Sequence, residues 1–350
     1  MEDRVNDLAR RDFITMMALG GLGAAGAGLP AGDGSQNVLA SSTAESDHGL
    51  YNSNDEYVYL SIVTQVPFWS DAKQALSDFS RVARVKTRFL GPPTFDVAGQ
   101  ARQLDDLIAQ KPAGIILFVG DASAMTPGIN RAVHAGIPVV LCISDAPKSK
   151  RLSFLGIDNF SAGQIGARLL AAAINERGKV VLGTFPSPGV LDRVKGYKAW
   201  LKANAPGISV VDVVNDKADP SYAPQAYAAA ISAHPDLAAI AGTDGDSGLG
   251  AAQAVKEAGK AGKIKIIAMD RNDDMLAQIK AGVITASVVQ RSYVETWYAV
   301  ASLYWMNHNT LNPVKNWRRA GLNILPERLV TGTWVCNRSN VDLFIHRRHP

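Results

Sequence analysis

From residue 57 onward the chain alternates short, solidly apolar runs with longer stretches in which apolar residues recur at helical spacing. The runs cover 57–63, 114–119, 138–143, 179–184, 208–214, 238–241, 264–269 and 284–289, and most are rich in Val and Ile. Most lack the polar alternation of a half-exposed strand. They read as strands covered on both faces, the condition of a parallel sheet. Helices are expected over 70–82, 98–110, 125–135, 161–177, 190–204, 222–233, 247–259, 272–281 and 292–307. Strand and helix in turn predict an α/β protein of doubly wound parallel-sheet lobes. A length of 350 residues suits two such lobes.

Residues 1–40 break this pattern. Arg10 and Arg11 precede Phe13 and Ile14, and 13–32 is an uncharged segment rich in Gly and Ala. Adjacent arginines ahead of a weakly apolar segment read as a twin-arginine export signal. A membrane anchor would be greasier, because Gly and Ala gain little in hydrocarbon. The expectation is an exported, periplasmic protein. Gly21, Gly23 and Gly26 match the GxGxxG spacing of dinucleotide sites, but they follow no strand and lie inside the signal, so the match is compositional. Residues 41–55 are polar and turn-forming, and read as a linker.

Charge and chemistry narrow the classes further. The formal net charge is +4, and its excess sits in 315–350, where Lys315, Arg318, Arg319, Arg328, Arg338, Arg347 and Arg348 face only Glu327 and Asp342. The body is near neutral, which excludes the clustered cations of a nucleic-acid surface. Cys142 and Cys336 fit no zinc spacing; a disulfide between them is permitted outside the cytoplasm but not implied. The 6 histidines include no i, i+4 pair, and no Gly-x-Ser-x-Gly elbow or Cys/His dyad is present. No metal, no cofactor and no enzymatic activity are expected.

Small-molecule sites in doubly wound sheets lie outside the carboxyl ends of the strands. After 57–63 come Thr64, Gln65, Val66, Pro67, Phe68 and Trp69; after 138–143 come Ser144 and Asp145. After 238–241 come Gly242, Thr243, Asp244, Gly245 and Asp246; Asp270 follows 264–269, and Gln290 follows 284–289. Carboxylates, amides and a guanidinium hydrogen-bond hydroxyls, while aromatic rings cover the apolar face of a sugar ring. The set points to a small polyhydroxylated ligand.

In these motifs the sequence resembles the ribose-type (type I) periplasmic sugar-binding proteins of ABC importers, over about 57–305. Pro67-Phe68-Trp69 is similar to the family's Pro-aromatic-aromatic turn, which implies that Phe68 and Trp69 sandwich the sugar. Gly156-Ile157-Asp158-Asn159 with Gly163 resembles its first interlobe crossing, and Arg193-Val194-Lys195-Gly196-Tyr197 its Arg-x-x-Gly-aromatic helix start. The resemblance implies ligand roles for Arg193, Asp244, Asp270 and Gln290. Gln65 and Asp145 are weaker candidates for the ligand set.

Two departures stand out. Val66 occupies the place of an Asn, and Ile143 that of an Asp, with Asp145 two residues on. Both make the first lobe's wall less polar and favour a ligand with fewer hydroxyls, or a deoxy or methyl group, over ribose. The expected organisation is lobe one over 56–158 plus 291–322, lobe two over 159–290, and a basic C-terminal tail over 323–350. Crossings would fall near 158–160, 289–291 and 320–323, forming a hinge. The implied function is capture of a sugar or polyol by a monomer that delivers it to a membrane permease. A sensor that presents a sugar or furanose to a membrane receptor is the alternative.

Overall fold

The computed structural model describes residues 54–345, so the expected export signal and most of the expected linker lie outside the described residues. The described chain divides into two compact units. One runs to Ile157 and resumes over Arg291–Gly332; the other comprises Asp158–Gln290 and resumes at Thr333.

The first unit contains β1 (Glu56–Leu60), α1 (Ser70–Ala83), β2 (Lys86–Leu90), α2 (Val97–Gln110), β3 (Gly114–Leu117), α3 (Ala122–His134), β4 (Val139–Cys142) and β5 (Ser153–Gly156). The second opens with α4 (Asn159–Ala173), β6 (Gly178–Thr184), α5 (Pro188–Asn204), β7 (Ile208–Asn215), α6 (Ala223–Ala233) and β8 (Leu237–Gly242). It continues with α7 (Ser247–Glu257), β9 (Lys265–Met269), α8 (Asp273–Lys280) and β10 (Ala286–Gln290). The chain then returns to the first unit for α9 (Ser292–Asn307) and β11 (Arg328–Val330), and to the second for β12 (Thr333–Asn337).

Each unit holds one 6-stranded sheet, ordered β11-β5-β4-β3-β1-β2 in the first and β12-β10-β9-β8-β6-β7 in the second. All pairings are parallel except β10 with β12. Burial on both faces explains the unbroken apolar runs. Along β1, Tyr57 and Tyr59 enter one core with Trp69, Phe79, Val140 and Leu303. Val58 and Leu60 enter another with Leu104, Leu117, Ile129 and Leu141. Each such side chain contributes about 1.5–3 kcal/mol by leaving water.

The structure differs from the sequence expectation in its short strands. β2 (Lys-Thr-Arg-Phe-Leu) is an edge strand, half-buried and mixed in polarity, so no apolar run marks it. β5 has only 4 residues. The expected tail over 323–350 is corrected: β11 pairs with β5, β12 pairs with β10, and the third crossing falls between Gly332 and Thr333. Cys336 is therefore a strand residue, and it and Cys142 are both buried free thiols.

Candidate functional site

The polar candidates gather on the second unit. Arg193 lies in the second turn of α5, and its position depends on how closely α5 meets α4. A Cβ on Gly163 would strike the Arg193 carbonyl, and one on Gly196 the Phe160 carbonyl. Glycine at both places lets the helix backbones touch. Arg193 is 5% exposed. Its Nε donates to Asn159 Oδ1 at 2.8 Å, Nη1 to the Thr243 carbonyl at 2.8 Å and Nη2 to Gln290 Oε1 at 2.7 Å. One guanidinium thus ties together the head of α4, the tip of β8 and the tip of β10. Rigid donors of this kind lose little entropy on meeting a ligand.

Thr243 extends the network, since its hydroxyl donates to the Gly183 carbonyl at 2.7 Å. Next to it, Asp244 Oδ1 accepts the N–H groups of Asp246 at 3.0 Å and Ser247 at 2.9 Å, and Oδ2 accepts the Ser247 hydroxyl at 2.6 Å. Asp244 therefore holds the head of α7 while remaining a multi-acceptor carboxylate. Asp270 leaves β9 in the left-handed region (φ 69). Its N–H donates to the Val288 carbonyl at 2.8 Å and its carbonyl accepts the Ser287 hydroxyl at 2.6 Å, so β10 fixes the turn.

The acids at these tips feel one another. Burial, then Asp244, Asp270 and Asp219, push the Asp246 carboxyl up to about 7. Asp216, just past β7, is raised to about 8 by burial and by Asp244. Among the described residues, no group of three or more His, Cys, Asp or Glu is arranged to hold a metal ion.

The first unit presents a different surface. The turn Pro67–Trp69 winds as a 3-10 helix after β1, leaving Phe68 half-buried and sending Trp69 inward. Of the two rings expected to form a platform, Trp69 is 1% exposed. It packs against Tyr59, Phe68, Phe89 and Phe118, with centroids 5.6, 4.7, 5.4 and 5.3 Å away. The short 3-10 turn directs consecutive side chains apart, so Trp69 supports Phe68 from the core. Asp145 is held within its own unit. Both its oxygens are engaged by Arg151, from Nε at 2.5 Å and Nη2 at 2.8 Å, and Arg151 Nη1 reaches the Glu327 carbonyl at 3.1 Å. That fork fastens the loop after β4 to the segment leading into β11. Gln65 is exposed, and its N–H donates to the Pro93 carbonyl at 3.3 Å. Ile143 follows β4 with φ 73, an uncommon conformation for a β-branched residue.

Sequence reasoning missed Asn159, Thr243, Ser247 and Asp216 as members of the polar network. Asn159 and Thr243 lie inside recognised motifs. No local signal marks Asp216.

A family model described as a periplasmic binding protein domain matches residues 57–306. A xylitol-binding protein of Mycolicibacterium smegmatis is 27% identical over 249 residues, 70% of this chain and 70% of its own length. The solved structure of AraP, an arabinose-binding protein from Geobacillus stearothermophilus, is 32% identical with a TM-score of 0.71, covering 84% of this chain and 100% of that one. A solute-binding protein from Burkholderia graminis solved with D-arabinose is 26% identical with a TM-score of 0.75, covering 83% of this chain and 97% of that one.

Proposed function

Because this chain belongs to the periplasmic binding protein family, we propose that it captures a small sugar or polyol of about pentose size and delivers it, chemically unchanged, to the permease of an ABC importer. The observation that carries this reading is the Arg193 network. A buried guanidinium, held by Asn159, Thr243 and Gln290, stands in one unit with the strand-tip acids Asp244 and Asp270. Acceptors and donors fixed before the ligand arrives suit a molecule whose hydroxyls both donate and accept. The xylitol and arabinose relatives point to the same size class.

In this reading Phe68 covers an apolar ring or chain face, and the second unit supplies the charged hydrogen bonds. Val66 and Ile143 favour a ligand with an apolar edge. Export through the twin-arginine route is part of the same proposal and rests on Arg10 and Arg11.

The test is calorimetry of the protein against D-arabinose, xylitol, D-ribose, 2-deoxy-D-ribose and a hexose. Micromolar binding, about 8 kcal/mol, is expected for at least one pentose or pentitol. Silence across the panel with binding of an amino acid or peptide would overturn the ligand class. For the signal, Arg10→Lys with Arg11→Lys is expected to block export.

A further inference from the structure

Ser247 Oγ, at the head of α7, meets two buried carboxyls at once. It lies 2.6 Å from Asp244 Oδ2 and in short contact with Asp216 Oδ2. A hydroxyl carries one proton. If both acids were ionised, one of these oxygen–oxygen contacts would contain no hydrogen and would be repulsive. The arrangement therefore requires a proton on one carboxyl.

The surroundings decide which one. Asp244 Oδ1 accepts two backbone N–H groups at the head of a helix. Asp216 is 0% exposed. Its Oδ1 accepts the Ala218 N–H at 3.1 Å, and Tyr227 OH reaches Oδ2 at 3.3 Å. Burial and the charges of Asp244 and Asp246 favour its neutral form. The other charged groups around it are Lys217 and Asp219 on its own loop and, beyond Asp246, Asp270 at the tip of β9. Lys217 Nζ sits over the Tyr222 ring at 3.9 Å. A side chain at Gly183 would collide with Tyr227 OH and Ser247 Oγ, so β6 closes the cluster on that side.

We propose that Asp216 is a positioning residue for Asp244: as the neutral acid it donates to Ser247 Oγ, whose own proton goes to Asp244 Oδ2, holding the Asp244 carboxylate in one rotamer. The proposal deepens the reading of Asp244 as a ligand group and rests on it. Asp216 acts only through Ser247. Loss of its proton at alkaline pH would place a second anion against the hydroxyl and release Asp244.

Two measurements on the full chain test this. The first is carbon NMR of carboxyl-labelled aspartate, with the Asp216 signal assigned by its loss in Asp216→Asn. The expected signal is a neutral acid through pH 7 that titrates near 8. Titration in the ordinary carboxylate range, about 4, overturns the proposal whatever the ligand proves to be. The second is affinity for D-arabinose and xylitol as a function of pH. Wild-type affinity is expected to fall about tenfold between pH 7 and 9, and Asp216→Asn to give a flat profile. Asp216→Ala is expected to weaken binding about tenfold at pH 7, and the Asn variant, whose amide also donates to Ser247, to recover it. Equal losses in the Ala and Asn variants overturn the relay. If neither probe binds wild type, the ligand class fails and the NMR titration still decides the proton.

Discussion

Position for position, the two sheets correspond: β4 in the first unit occupies the place of β9 in the second, and β3 that of β8. The residue after β4 is Ile143 at φ 73, and the residue after β9 is Asp270 at φ 69. The same backbone turn carries opposite chemistry. After β3, Asp121 is an exposed helix cap that accepts the Ala124 N–H at 2.7 Å. After β8, Asp244 is buried and accepts both the N–H and the hydroxyl of Ser247. The backbone turn is shared by the two units, and the side chains it carries differ. A left-handed residue costs about 1–2 kcal/mol for most side chains, and Asp or Asn tolerates it best. Asp270 suits its backbone. Ile143 does not, and its side chain, buried in the aromatic core of the first unit, offsets the strain by apolar burial.

The comparison breaks most sharply at Arg193. Arg193→Ala leaves Asn159, Gln290 and the Thr243 carbonyl without their donor, and is expected to cost about 3 kcal/mol, or roughly a hundredfold, in affinity by calorimetry. Arg193→Lys is expected to recover little, because an ammonium cannot reproduce the planar fork. Next come exchanges at the matched tips. Asp270→Ile is expected to lower affinity by about 2 kcal/mol and melting stability by about 1–2 kcal/mol, since it adds left-handed strain and removes a carboxylate. Ile143→Asp is expected to lower stability by about 1–2 kcal/mol and to shift preference toward ligands with more hydroxyls. An unchanged ligand ranking would remove Ile143 from the ligand wall.

The pH dependence sharpens the contrast on a smaller scale. The Asp216 and Asp246 carboxyls are raised in the folded protein to about 8 and about 7. Raised acids bind a proton that the unfolded chain has released. Their stabilisation is complete below about pH 4 and declines as pH rises toward 7–8, at up to about 1.4 kcal/mol per pH unit for each group. Chemical denaturation at pH 5, 6 and 7 should show this slope, reduced in Asp216→Asn. The smallest effect on affinity is expected at Asp145. Asp145→Asn breaks the fork with Arg151 and should lower stability by about 2 kcal/mol while leaving affinity unchanged. A large loss of affinity there would return Asp145 to the ligand set.

The long elements were legible because their signal is local. A strand buried on both faces must be apolar throughout, so β1, β3, β4 and β6 could be read directly. Asp244, Asp270 and Gln290 could be singled out as candidates because they follow such runs. β2 and β12 could not, since half-exposed edge strands mix polar and apolar residues. Trp69 and Asp145 could be singled out by residue type and loop, but the neighbours that engage each of them could not.

The amino-acid order alone determined the α/β alternation, the strand tips and the residue types carried there, because period and turn chemistry act over a few neighbouring positions. Only the tertiary structure decided which of those side chains work together. Arg193 meets Gln290 across 97 positions of chain, and Ser247 meets Asp216 across 31. Burial then governs which acid keeps its proton, and burial is a property of the packed whole.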